Sequence, residues 1–465
     1  MAIQEDLSEW EIASTGKMIS YAFGYIIINF LLQTGFALVF YFYEVEVGIA
    51  VGLLGFAFVI FAIWNMINDP ILGFITDRPM KWTKKWGLRA PWVVISAFPI
   101  LIFYFLIWVP PENASDMTIF LWFIIITCLF DTFFSIYNDH VYGGFTNQFP
   151  SEFERRRSFA IATILMGLFM TAMGVIGNLI IVYGDKSSFF RYAMVMVILL
   201  VIFNAILFTG IRESEQMKAM FISSFEKAEA KGFIDTLKTA LKQRNFAVSL
   251  TGYTCQITSM TLVAASGIYM YKDVYKLPYS YAAIPAIIGM IGFVIVVPFW
   301  YNYARKHGFK KTYWLCFILH GLSFIPFLFI TEYIHVIIFT FISALFYSGE
   351  VIMLMPVASD TYDEVSSVME KRVDATLVGV RNFFFRVAFL AVGIIIPVVH
   401  IVTVYDPNPY ATQTPLAVWG VRVHAALIPM LIFITMGLIF RKYYTLEGAE
   451  KEALVRKLKD LGIYR

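Results

Sequence analysis

Asp69 stands in an apolar run, from about Val47 to Ile75, that is otherwise uncharged. Trp64, Asn65, Asn68 and Pro70 surround it, and a basic segment follows with Lys84, Lys85, Trp86, Gly87, Arg89, Pro91 and Trp92. A carboxylate within a hydrocarbon-spanning helix is costly and is normally kept for a task. Asn65 precedes Asp69 by one helical turn, so the two share a face. An amide carbonyl and a carboxylate can ligate sodium together, and a carboxylate alone can carry a proton.

A second polar group, Asp131, Asn138, Asp139 and His140, interrupts a later apolar run. Asp131 and Asn138 are two helical turns apart and share a face. A buried His beside carboxylates can relay protons; equally, such a cluster near a helix end can face water. Further on, Arg381 and Arg386 differ by about 140° around a helix, so one can point to a solute and the other to a neighbouring helix. Glu350 is a plausible partner for either. Thr254, Gln256, Thr258 and Ser259 can line a cavity or bridge helices. Tyr25, Trp64, Tyr137, Tyr142 and Tyr347 are candidates only through their polar neighbours. With aromatics at 18% of the chain and 46 phenylalanines, an aromatic stripe alone points to packing.

The elements that must position these groups follow from composition. Of 465 residues 59% are hydrophobic and only 15% charged, with a mean hydropathy of +0.71. Soluble domains hold about a quarter charged residues, so an integral membrane protein is expected. The basic residues lie in short loops beside apolar runs without a nucleic-acid-binding motif, so nucleic acid is not an expected partner. Cys128, Cys255 and Cys316 all lie in apolar runs and read as inert core residues. The acidic N-terminal segment is the opposite of a basic signal-peptide start, so no cleavage is expected there.

About 20 apolar residues cross a bilayer. Runs of that length give twelve helical spans, at 17–43, 47–76, 90–110, 117–147, 157–184, 189–211, 246–272, 278–304, 311–331, 333–360, 374–403 and 418–440. Most Lys and Arg fall in the terminal segments and in the loops after even-numbered spans. The opposite loops hold only Lys186, Arg191, Lys272, Lys276 and Arg422. This bias puts both termini in the cytoplasm. Residues 1–211 and 245–441 then form two six-helix bundles, joined by a cytoplasmic linker, 212–244, and followed by a tail, 442–465. In the linker, Phe233, Ile234, Leu237, Ala240 and Leu241 recur at helical spacing beside Lys238, Lys242 and Arg244, the pattern of a basic amphipathic helix on the inner membrane face.

The halves echo one another. Pro70 with Asp77, Lys84, Lys85 and Gly87 matches Pro298 with Arg305, Gly308, Lys310 and Lys311, about half a chain later. Glu154-Arg155-Arg156-Arg157 is echoed by Glu370-Lys371-Arg372. Two similar halves imply a site between them near mid-membrane, exposed alternately to each side.

The run Trp64 to Trp92 resembles the second-helix and loop signature of the glycoside–pentoside–hexuronide:cation symporters, the melibiose-permease branch of the major facilitator superfamily. Its telling pieces are Asn68-Asp69-Pro70, Gly73, Asp77-Arg78, Trp86-Gly87 and Pro91-Trp92. The similarity continues at Phe130-Asp131-Thr132 through Tyr142 and at Glu154-Arg155, and returns at Ala358 to Glu364, Arg372 and Asp374. The resemblance implies alternating-access transport of a small solute, often a sugar, coupled to sodium or protons. It also exposes departures. The family's pair of aspartates on span two is Asn65 and Asp69 here, so one acid is missing. Its two sugar-binding aspartates fall at Asn29 and Asn138, and its span-five arginine falls at Thr163. The aromatic that stacks on sugar matches Tyr142, and a lysine near the cation site matches Arg386. Arg386 could instead be a buried ion-pair partner of Asp69; an arginine does not release its proton, which leaves Asp69 as the titrating group.

The expectation is a major facilitator fold of twelve transmembrane helices, serving as a secondary transporter of a sugar or glycoside by cation symport. A lysolipid or other amphiphile, or uncoupled facilitation, is the alternative. Cation coupling is assigned to Asp69, Asn65 and Arg386. Solute contact is assigned to Asn29, Asn138, Tyr142, Asp131, Arg381 and Trp64. A cytoplasmic gate is assigned to Asp77, Arg78, Lys85, Glu154, Arg155, Arg305, Asp363 and Arg372, whose interleaved signs go beyond what orientation requires. No cofactor is expected beyond the coupling ion, H+ or Na+. The partners expected are a small solute and the lipid bilayer of the cell membrane, with the protein a monomer. A membrane enzyme built on Asp139 and His140 is the rival class.

Overall fold

The computed structural model describes residues 13–34, 37–76, 80–149, 152–214, 218, 233–370 and 373–461. The chain divides into two compact units, Met1–Glu229 and Ala230–Arg465. Among the described residues both are helical, without strands.

The longer helices of the first unit are α1 (Thr15–Asn29), α2 (Val51–Thr76), α3 (Ala90–Ile107), α4 (Asp116–Gln148), α5 (Glu152–Ile180) and α6 (Lys186–Gly210). Ser115 and Asp185 start α4 and α6 as N-caps, accepting hydrogen bonds from the first-turn amides of Thr118 and Ser187. The pairs α3–α4, α2–α4, α1–α5 and α1–α6 pack most extensively. Aromatic rings fill the interior: Tyr43 meets Phe123 edge-on at 4.7 Å, and Trp108 meets Tyr192 at 5.7 Å.

The second unit holds α7 (Phe233–Lys242), α8 (Arg244–Tyr269), α9 (Ala283–Ile295), α10 (Val297–His307), α11 (Phe309–Ser323), α12 (Tyr333–Met369), α13 (Asp374–Phe385), α14 (Val387–Thr403), α15 (Pro415–Arg422), α16 (Ile428–Tyr443) and α17 (Gly448–Asp460). Its principal core joins Tyr313, Phe317, Met353, Phe433 and Phe440 from α11, α12 and α16.

Among the described residues, eleven helices are long and apolar enough to cross a membrane. The twelfth expected span is α8. It is 26 residues long, but Thr251, Thr254, Gln256, Thr258 and Ser259 dilute its apolar content. The amphipathic stretch of the linker is helix α7, and its apolar side does not simply lie on a surface. Ala240 is fully buried with Phe246, Leu250, Val365, Leu377 and Val380, whereas Leu241 is exposed. Arg244 belongs to the next helix, α8.

Candidate cation and solute site

The polar residues of α2 meet those of α4 in two neighbouring contacts. Asn65 donates its side-chain amide to Asp131 Oδ1, and Asn68 donates to Asp131 Oδ2 at 3.2 Å. One turn along α4, the Ser135 hydroxyl donates to Asp69 Oδ1. Asn65 and Asp131 are each 1% exposed, and Asp69 is half-buried. The Asn65 Oδ1 atom is buried and accepts no hydrogen bond among the described residues. Two carboxylates, an amide and a hydroxyl thus lie along the facing sides of α2 and α4, in two contacts one helical turn apart. Oxygen ligands of this kind suit a hard cation.

This arrangement alters the role expected for Asp131. On sequence grounds it belonged with Asn138 on a solute-facing surface. Instead its carboxylate is sequestered against α2, held by the two amides that α2 presents. The acid missing at Asn65 is thus supplied from α4. Ser135 was missed, although it lies one turn beyond Asp131; the signal was that spacing.

The expected solute residues of the first unit separate into two sets. Asn29, Tyr25 and Tyr142 come together: Asn29 Nδ2 lies 3.4 Å from the Tyr142 hydroxyl, and the rings of Tyr25 and Tyr142 are 4.8 Å apart and edge-on. Tyr142 is 46% exposed. Asn138 donates to Asp139 Oδ1 at 3.3 Å. Trp64 is exposed on a stripe with Ile67 and Ile71, off the face that carries Asn65 and Asp69. Tyr137 is an interior residue that donates to Asn204. Thr163 turns its hydroxyl back to the Phe159 carbonyl.

His140 departs from both expected readings. It is fully buried, its ring is stacked 6.0 Å from that of Trp92, and neither ring nitrogen is hydrogen-bonded among the described residues. It faces neither water nor Asp139, because successive helical residues point about 100° apart. An enzyme built on that pair has no accessible acid–base couple.

In the second unit Arg386 is 5% exposed, with its guanidinium 5.7 Å from the centre of the Phe385 ring. Arg381 lies over Tyr253 at 5.1 Å and lines a small cleft with Phe246, Leu354, Thr361 and Tyr362. Glu350, expected to pair with one of these arginines, pairs elsewhere: Oε1 is 3.0 Å from His320 Nδ1, and Oε2 accepts from Gln256 Nε2 at 3.2 Å. Its helix α12 packs against α11 and α8, which makes those neighbours the nearer polar partners. His320 was missed, although a histidine in an apolar run was itself a signal.

Of the expected gate residues, Asp77, Arg78 and Arg372 lie outside the described residues. Glu154 is buried and accepts from the Ala13 amide at 2.5 Å, and Arg155 Nε donates to the Phe149 carbonyl at 3.0 Å. Lys85 and Arg305 are exposed, and Asp363 is half-buried. A stronger tie was not foreseen. Glu213, just beyond α6, accepts from the amides of Leu88 and Arg89 at 2.6 and 2.9 Å. It thereby caps the start of α3, where free N–H groups favour an anion. Gly87, at φ +94°, makes room, since a Cβ there would collide with the Glu213 carboxylate. Burial raises the Glu213 carboxyl above its ordinary range, and the two amides and the Arg89 charge partly oppose this. The corresponding ties in the second unit are Lys451 to Asp360 at 2.7 Å, Asn245 to Glu364 at 2.8 Å and Lys310 to Glu447 at 2.7 Å.

Comparison with known proteins identifies the class. Residues 18–447 match the family described as MFS/sugar transport protein, and the chain belongs to that family. It is a multi-pass membrane protein of the major facilitator fold. A nucleoside transporter, NupG, superposes with a TM-score of 0.56 at 15% identity, covering 90% of this chain and 98% of its own. A bacterial homologue of the human drug peptide transporters PepT1 and PepT2 superposes equally well, at 12% identity over 96% of this chain and 99% of its own.

Among relatives, the sodium-dependent lysophosphatidylcholine symporter 1-A of Danio rerio is 27% identical over 35% of this chain and 37% of its own. The corresponding symporter 1 of Gallus gallus is 22% identical over 54% of this chain and 52% of its own. The chain thus spans about half or less of the length of these relatives. The uncharacterized symporter YnaJ of Bacillus subtilis is 21% identical over 96% of this chain and 94% of its own.

Proposed function

We propose that this protein is a secondary transporter of the cell membrane, with both termini cytoplasmic, which moves a sugar-like solute together with a cation by alternating access. The observation that carries the coupling is the network of Asn65, Asn68 and Asp69 on α2 with Asp131 and Ser135 on α4. Its oxygen atoms suit Na+, because the carboxylates supply charge while Asn65 Oδ1 and the Ser135 hydroxyl complete a hard donor set. Bound Na+ would join α2 to α4 more tightly than hydrogen bonds alone. Loss of the ion would loosen that junction and couple it to the motion of the helices.

The solute reading rests on Tyr25, Asn29 and Tyr142, where an exposed aromatic ring stands beside an amide. Such a pair offers a sugar one apolar face to stack on and one group to bond its hydroxyls. Glu213 and Glu154 in the first unit, and Asp360 and Glu364 in the second, form the ties at the cytoplasmic ends of the helices, with Lys85, Arg155, Arg305 and Asp363 as exposed or half-buried charges of the gate.

A second reading, an amphiphile of the lysolipid type, is favoured by the names of the relatives and by the neutral Asn29 and Asn138 at positions where sugar symporters carry acids. Proteoliposomes separate the two. Uptake of radiolabelled methyl glycosides driven by a sodium or proton gradient supports the first. Uptake of lysophosphatidylcholine alone supports the second, and uptake of neither under any gradient would overturn both.

A further inference from the structure

Glu350 is 0% exposed and His320 1% exposed. They face one another across α12 and α11 at 3.0 Å, while Gln256 of α8 holds the other carboxyl oxygen at 3.2 Å. Three helices of the second unit thus meet at one ionisable pair. The approach of α11 to α12 is allowed by Gly349, since a Cβ there would run into Cys316 of α11 and Trp300 of α10. The His320 ring is packed against Phe433 at 4.4 Å, Phe324 at 5.3 Å and Tyr347 at 5.6 Å.

The surroundings supply little to offset a net charge. Among the described residues, the titratable groups that face the pair include Tyr347 on α12 and Tyr313 and Cys316 on α11; α16 presents the apolar Phe433. Arg381 on α13 interacts with Tyr313, which itself faces Glu350. Burial of an unbalanced charge is costly, and one proton shared between the two groups would leave the pair without net charge. That proton moves between His320 Nδ1 and Glu350 Oε1 without changing the net charge: imidazolium with carboxylate becomes imidazole with carboxylic acid. Its release to water leaves a carboxylate held by the Gln256 amide and by the single N–H that a neutral imidazole keeps. Its retention makes the contact of α11 with α12 an ion pair, and its loss weakens that contact to a single hydrogen bond from a neutral donor.

We propose that His320, Glu350 and Gln256 form a proton-binding site in the second unit, separate from the cation site of α2 and α4, whose occupancy sets the contact between α11, α12 and α8. Buried polar atoms beside it support a rearranging role: Gln256 Oε1 and the hydroxyls of Ser259 and Ser348 make no hydrogen bond among the described residues. This goes beyond the transport reading by naming a proton as an ion the second unit handles, and its test needs no solute.

Difference infrared spectroscopy of the purified full chain, titrated from about pH 5 to 9 across the histidine range in H2O and D2O, reads the carbonyl stretch of protonated carboxyls directly. The expected result is a titrating, deuterium-sensitive band that is lost in Glu350→Gln and retained in Asp69→Asn. In His320→Asn its midpoint should move by about one pH unit or more, as expected when a close partner charge is removed. A Glu350→Gln spectrum identical to the parent would overturn the proposal, as would a band whose midpoint ignores His320→Asn. Should Glu350→Gln fail to fold, the His320→Asn midpoint decides alone. Failure of sodium binding at Asp69 would leave these outcomes unchanged, so the two claims fall separately.

Discussion

Asn65 on α2 donates its amide to Asp131 on α4, so the acid that α2 lacks reaches it from the neighbouring helix. This one bond changes the reading of both residues. Asn65 is the neutral half of a pair whose charge sits on α4, and Asp131 belongs to a helix junction.

Removing one partner should therefore cost more than removing both. Asn65→Leu leaves a buried carboxylate short of a donor, with an expected loss of about 1–3 kcal/mol. Adding Asp131→Leu should restore part of it, because two apolar side chains replace a broken polar pair. Thermal unfolding of the two single variants and the double variant in detergent measures this, and simple additivity would contradict the bond.

The cap that Glu213 places on α3 has a pH signature. Burial lifts its carboxyl above the ordinary value of 4.5, so over that interval the folded protein holds a proton that the unfolded chain releases. Stability then falls as pH rises from the ordinary glutamate range through the raised one. Glu213→Gln should remove this slope, and it should also cost about 1 kcal/mol for the amide left without its acceptor. Parallel unfolding curves for both proteins across that interval would contradict it.

Lys451 ties α17 to Asp360 in the C-terminal part of α12. Since Lys451 is 36% exposed, the pair is worth at most about 1 kcal/mol. Lys451→Ala should leave global unfolding nearly unchanged while speeding amide exchange in 448–460. Unaltered exchange there would show that the buried Leu458 holds the helix by itself.

At Gly349, α12 packs directly against Cys316 of α11 and Trp300 of α10. Gly349→Ala should destabilise the second unit by about 1–3 kcal/mol through overpacking against Cys316 and Trp300. An unchanged unfolding temperature would mean that the helices have room to separate.

Much of this was legible in the sequence for a simple reason. Apolar length and the position of charged loops are one-dimensional properties, so spans and halves can be read along the chain. Helix α8, at the expected span 246–272, carries threonines and a glutamine that dilute the apolar pattern, and it is not among the eleven described helices apolar enough to cross a membrane. Pairing is another matter. Asp131 and Asn138 share a helical face by spacing, yet only packing decides that Asp131 is sealed against Asn65 and Asn68. By charge alone Glu350 is a plausible partner for Arg381 or Arg386. Proximity favoured His320, a residue whose partner lies 30 positions away. Glu213 was unremarkable in a polar loop, and its role depends on the open amides of Leu88 and Arg89, which no side-chain pattern records.

The central claim is that the α2–α4 network binds the coupling cation. Its most direct measurement is the unfolding temperature of the purified protein as NaCl replaces choline chloride at constant ionic strength. Sodium should raise it in the parent, following the mass-action dependence of a ligand bound only to the folded state, and should have no effect in Asp69→Asn or Asp131→Asn. A parent indifferent to sodium, or variants that respond to it as the parent does, would contradict that claim.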